Sequence, residues 1–204
     1  MFRARARRRT VVKPIEAPFP TATASAGGEY VYAAKPFLDA AEGLVQIFDV
    51  LGPSAFMVIK NDFQENIRYL RRFIVDNPTA SLQTLSADRR STKQLLALLR
   101  GLAFLCDALQ RFVKNDDAEL ATEFTAAYTK HLQKYQGLMG MRLYLAAIGV
   151  SPARPVFMTA LDGLHPDGSA LELFRARLDE LEEILRNLKL DSYKDKFQYS
   201  DTDS

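Results

Sequence analysis

The chain has no tryptophan, one cysteine and two histidines among its 204 residues. A single cysteine, Cys106, excludes an internal disulfide and fits a reducing compartment. It stands in an apolar stretch and reads as a small core residue. His131 reads as a partly exposed helix residue and His165 as a loop residue before proline; neither has metal-ligand neighbours at the right spacing. No phosphate loop, no dinucleotide-binding glycine pattern and no H-E-x-x-H motif is present. Nothing points to a Ser-His-Asp or Cys-His nucleophile. An enzyme is therefore not expected, nor a cofactor, nor a metal. No apolar run approaches the ~20 residues that a helix needs to cross a bilayer, so the chain reads as soluble or seated on a membrane surface.

What is present begins with an uneven charge. The formal net charge is +2, but residues 1–28 carry six arginines and lysines against one acid, Glu16, so the remainder is net negative. Residues 1–28 also hold a breaker-rich run, PIEAPFPTATASAGG, without apolar periodicity. They read as a disordered basic arm, with an import signal and an anionic-membrane tether as alternatives. Nucleic acid is not an expected partner, because no aromatic platform interleaves with the arginines.

Residues 29–204 read as a single all-helical domain. With 48% hydrophobic residues, the chain is long enough to bury one sizeable core. Phe37, Ala40, Ala41, Leu44, Val45, Phe48 and Leu51 follow the spacing of an amphipathic helix, which ends at the turn Leu51-Gly52-Pro53. Phe56, Ile59, Phe63, Ile67, Leu70 and Ile74 make a second stripe. A third helix is expected from a Ser91–Gln94 capping box through Leu95, Leu98, Leu99, Leu102, Leu105, Leu109 and Phe112, apolar over much of its circumference. An Asp116–Glu119 box opens a long segment running to Gly149, and Pro155 starts a short helix to Leu161. A Ser169–Glu172 box precedes a last seam of Leu171, Phe174, Leu178, Leu181, Leu185 and Leu188. No strand pattern competes.

On the second helix, Asp62, Asn66 and Tyr69 are spaced i, i+4, i+7 and share a face bordering Ile59, Phe63 and Leu70. Two readings stand: a solvated rim, or a polar lip beside an apolar interior, where a carboxylate accepts and an amide both donates and accepts. Lys93, Ala97, Arg100 and Phe104 form a comparable file on the third helix. Gln136 shares a face with Leu132, Met139 and Leu143; it is either exposed, locally satisfied, or in need of a partner.

Several motifs carry a resemblance. They are Pro36-Phe37-Leu38, Phe48-Asp49-Val50-Leu51-Gly52, Ile59-Lys60, Asp62, Asn66-Ile67, Asn77-Pro78-Thr79, the run from Leu95 to Leu102, Ala127-Tyr128, and Lys134-Tyr135-Gln136-Gly137-Leu138. In order and spacing these resemble the glycolipid transfer protein family, from about Pro36 to Ala147. The resemblance implies an all-α, two-layer helical sandwich holding a sphingolipid. The headgroup is expected at Asp62, Asn66, Tyr69, Lys93, Ala97, Arg100 and Gln136, and the tails in a pocket of Ile59, Phe63, Phe104, Leu132, Met139 and Leu143. It further implies a cytoplasmic monomer that docks transiently on a membrane and transfers its lipid; a lipid sensor or helical interaction module that has lost transfer is the alternative. The family's sugar-stacking tryptophan falls at Ala97, its amide-clamping histidine at Gln136 and its headgroup lysine at Tyr69. Its phosphate-binding branch carries arginine at the positions of Lys93 and Ala97, and lysine at that of Asn66. Leu138 falls where members often place a membrane-inserting aromatic.

Overall fold

The computed structural model describes residues 15–24, 28–52, 55–165 and 167–188, with Arg90 as backbone only. The helices are α1 (Ala34–Val45), α2 (Ile47–Val50), α3 (Met57–Val75), α4 (Leu82–Ala87), α5 (Arg89–Lys114), α6 (Leu120–His131), α7 (Leu138–Gly149), α8 (Arg154–Asp162) and α9 (Ala170–Asn187). The 26-residue α5 is the centre: α3, α4, α6 and α9 all pack on it. Its leucines are buried around most of the circumference, as an apolar helix enclosed by neighbours requires. The α3 stripe of Ile59, Phe63, Ile67, Leu70 and Ile74 is buried throughout, so its opposite edge is left to polar groups.

Where helices begin differs from the sequence-based expectation. Asp88, not Ser91, caps α5, its carboxylate accepting from the Ser91 amide at 2.8 Å. The Ser91 hydroxyl instead donates to the buried Leu85 carbonyl at 2.8 Å, tying α4 to α5. A full capping box does form, but between Ser81 and Thr84 at the start of α4. Neither Glu119 nor Ser169 makes a side-chain cap. Asp116 receives Arg154 at 3.0 Å, while the same guanidinium donates to the carbonyls of Phe112 and Asn115 at the end of α5. That placement of a cation complements the negative end of the helix dipole.

The long segment expected from Asp116 to Gly149 is interrupted. It leaves the helix at Leu132, makes a 3-10 turn over Gln133–Tyr135, and resumes at Leu138 after Gln136 and Gly137 adopt extended backbone. The first stripe is likewise split into α1 and α2 at Gln46. There the buried Lys60 of α3 donates to Asp49 at 2.6 Å and to Gln46 at 2.8 Å, an ion pair that joins α2 to α3. The turn at Gly52 uses φ +113, a backbone region open to glycine.

The boundary expected at residue 28 also differs. Ile15 and Phe19 are buried, the Phe19 ring meets Phe37 edge-on at 5.6 Å, and the Phe19 amide donates to Glu180 at 2.8 Å. Two apolar side chains with a hydrogen-bonded amide between them are enough to lay this segment on α1 and α9, breakers notwithstanding. Thr23–Ala24 then pairs antiparallel with Tyr30–Val31, two rungs too short to show any alternation in sequence. The arginine cluster lies outside the described residues.

Gly101, where α3 packs on α5, has no room for a side chain. A Cβ placed on Gly101 would stand 2.8 Å from Phe63 Cζ, and that ring is itself held by Phe48 at 5.6 Å. Gly101→Ala is therefore expected to lower stability by about 1–3 kcal/mol through overpacking, against a small gain from helix propensity. A thermal melt checks this; an unchanged or raised Tm contradicts it.

Candidate functional site

Phe63 is drawn inward onto Gly101, and the preceding residue, Asp62, is left at the edge of the α3 stripe facing α7. There the Tyr144 hydroxyl donates to Asp62 Oδ2 at 3.1 Å. One turn on, the Asn66 amide donates to the Asp62 carbonyl at 2.9 Å. This back-bond orients Asn66 and leaves its Oδ1 as an acceptor beside the carboxylate.

Gln136 reaches the same place from the extended break between the 3-10 turn and α7. Its Oε1 accepts from the Tyr128 hydroxyl at 3.1 Å, and its amide also acts on the Tyr144 phenol. Gln136 is thus locally satisfied. The result is a polar chain, Tyr128–Gln136–Tyr144–Asp62, running from α6 through the break and α7 to α3. Around it the aromatic rings are closely packed: Tyr128 and Tyr144 at 5.6 Å, Phe104 and Tyr144 at 6.2 Å, Phe104 and Phe124 at 5.5 Å.

The charge states follow from burial. Desolvation raises the Asp62 pKa above its ordinary value; the Tyr144 hydrogen bond opposes this and the Glu65 charge adds to it. Both phenols are shifted upward by burial, so at ordinary pH they are neutral donors.

The remaining expected headgroup residues divide. Tyr69 is exposed one turn beyond Asn66, and Lys93 and Ala97 are exposed on α5. Arg100 does not join the Asp62 chain. Its guanidinium lies 3.7 Å over the Tyr135 ring and lines a groove of about 600 Å³ with Asp107, Gln110, His131, Glu182 and Arg186, in which Asp62, Asn66 and Gln136 take no part. His131, at the end of α6, is bonded to Asp107 at 2.8 Å.

Of the expected apolar pocket, Ile59, Phe63, Phe104 and Leu132 are buried. Met139 and Leu143 are not: they are 79% and 46% exposed. The break at Leu132–Gly137 resets the helical phase, so spacing counted from Leu132 no longer gives the inner face of α7. Tyr144, Ala147 and Ile148 turn inward in their place. Tyr144 and Tyr128 join the polar chain beside Asp62, although no spacing or periodicity in the sequence singles them out. A phenol within an apolar helix, whose hydroxyl must find a partner, was the available signal.

The family model described as glycolipid transfer protein matches residues 32–163, more than half of the chain. The chain belongs to the glycolipid transfer protein family. Among its relatives, the glycolipid transfer protein of Aureobasidium melanogenum is 34% identical over 137 residues, covering 63% of this chain and 68% of that one. That of Danio rerio is 32% identical over 145 residues, covering 62% and 69%. The family fold is evident in three dimensions too. HET-C2, a fungal glycolipid transfer protein, superimposes with a TM-score of 0.72 at 28% identity over 86% of this chain and 90% of that one. The human ceramide-1-phosphate transfer protein, in complex with 12:0 ceramide-1-phosphate, gives 0.67 at 21% identity over 84% and 91%, a likeness of fold. The architecture is the all-helical sandwich of this family.

Because Asp62 holds its proton more tightly when folded, its ionised form costs stability. That stability is present below the ordinary carboxylate range and is lost as pH rises through the raised pKa. Asp62→Asn is accordingly expected to melt at the same or a higher temperature than the parent at pH 7, the difference closing in acid. A lower Tm at pH 7 that is equalised in acid would refute the sign.

Proposed function

We propose that this family member binds a sphingolipid and carries it between membranes without chemical change, as a monomer that docks only transiently. The observation that carries the reading is the Asp62–Asn66 pair beside the buried apolar face of α3, in a chain of this family. Asp62 Oδ1 and Asn66 Oδ1 are the acceptors this lip offers, the Gln136 Oε1 being taken by the Tyr128 hydroxyl. Such a lip suits an amide N–H and hydroxyl groups better than a phosphate, which asks for cations. Of the two expected cations, Arg100 lies over the Tyr135 ring and Lys93 stands alone at the position where the phosphate-binding branch has an arginine.

The tails would enter beneath this lip by parting Ile59, Phe63, Phe104 and Leu132, with about 0.8 kcal/mol gained per methylene removed from water. The outward face of α7 supplies the membrane contact: Leu138 and Met139 at its start are 72% and 79% exposed, and Leu143, one helical turn on from Met139, is exposed as well. Among the described residues no helix is long and apolar enough to cross a bilayer.

Movement of fluorescent sphingolipids between vesicles tests the proposal. Transfer of a monoglycosylated ceramide is expected, faster than that of ceramide phosphate. Uptake of neither lipid overturns the reading, and uptake without transport moves it to a lipid sensor. Ala97→Trp, which places an aromatic plane on the exposed face of α5, is expected to strengthen binding of the glycosylated ceramide severalfold. An unchanged affinity would remove that face from the headgroup site. Leu138→Trp is expected to raise vesicle association by about tenfold, the scale of added aromatic burial at an interface, and sedimentation with phosphatidylcholine vesicles measures it.

A further inference from the structure

Asp62 is the exposed end of the polar chain, and Tyr144 is its fixed end. Tyr144 is 5% exposed, wedged between Phe104 and Tyr128, and its phenol is engaged by Gln136. A buried ring in contact with Phe104 and Tyr128 has less freedom to move than the acid it meets. Asp62, whose residue is open to solvent, has rotamer freedom of its own to lose. The bond between them therefore orders the acid and leaves the phenol where it is.

The geometry points to Tyr144 as a positioning residue for the headgroup acid: its hydroxyl donates to Asp62 Oδ2, so that a ligand N–H or hydroxyl meets a carboxylate already held in place, with Oδ1 facing it. This rests on the lipid-binding reading above and adds to it a residue on α7 together with a relay behind it. Tyr128 holds Gln136, Gln136 acts on Tyr144, and Tyr144 holds Asp62. A neutral donor on an ionised acceptor is among the stronger hydrogen bonds, and ordering a group before binding spares the ligand that entropy.

The test is a double-mutant cycle with Tyr144→Phe and Asp62→Asn, read as binding of a fluorescent glucosylceramide and of its analogue methylated on the amide nitrogen. Tyr144→Phe removes one oxygen and keeps the caged ring; circular dichroism and a thermal melt establish that it folds. It is expected to weaken glucosylceramide binding by about tenfold, the scale of one charge-assisted hydrogen bond. Beside Asp62→Asn, or with the methylated analogue, the same substitution is expected to change binding by no more than about twofold, within the additivity error of independent sites. Should Tyr144→Phe not fold, Tyr128→Phe breaks the relay one step back, and its smaller loss is expected to vanish beside Asp62→Asn in the same way.

Parent-like binding by a folded Tyr144→Phe overturns the proposal while leaving the lipid-binding reading intact. A loss that is undiminished beside Asp62→Asn does the same, since it marks a role in packing only. If the parent protein takes up no glucosylceramide while ceramide phosphate binds, the acid is not receiving this ligand and the assignment falls. If neither lipid binds, both readings fall together.

Discussion

The site depends on one close approach, that of α3 to α5 at Gly101. With no side chain there, the Phe63 ring fills the space over Gly101 where a Cβ would stand. The consequence is rotational. Once Phe63 is pinned inward, Asp62 is committed to one edge of α3 and Ile59 and Ile67 to the core. Lys60, buried on the other side, is committed to Asp49 and Gln46. A polar edge beside an apolar floor follows from where one glycine stands.

Against that edge lies a helix of a different kind. Only Tyr144, Ala147 and Ile148 of α7 are buried, and several of its large apolar residues face solvent. So much exposed apolar surface is unusual where only water is met, and it is the surface proposed above to contact a membrane. The same helix presents Tyr144 to Asp62, so the surface proposed to meet a membrane and the phenol bonded to that acid share one short element. The acid is held there at a small disadvantage. Desolvation works against its ionised form, and the phenol restores part of what burial removes.

Much of this was legible in the residues, though unevenly. The helical stripes of α3, α5 and α9 are plain in the sequence because each apolar period lies within one uninterrupted element. Caps were less plain: Asp88 and Ser91 both fit the start of α5, and the choice fell to Asp88 because Ser91 is claimed by the Leu85 carbonyl. Ile15 and Phe19 stood in a run of breakers and looked like part of a loose arm, yet α1 and α9 together offer them a seat that no local pattern announces. Met139 and Leu143 were assigned inward by counting across a break that the sequence marks only with a glycine.

The sequence by itself determined the all-helical class, the family, the inward stripe of α3 and the pairing of Asp62 with Asn66 one turn apart. These are properties of residues within a single element, where a fixed 3.6-residue period converts position into direction. Tertiary structure alone decided that Tyr144 would meet Asp62, that Gln136 would be bound by Tyr128, and that Arg100 would turn aside to Tyr135. Such contacts join elements separated by turns, and a turn erases the phase that periodicity carries. Which side chains then face one another is set by packing.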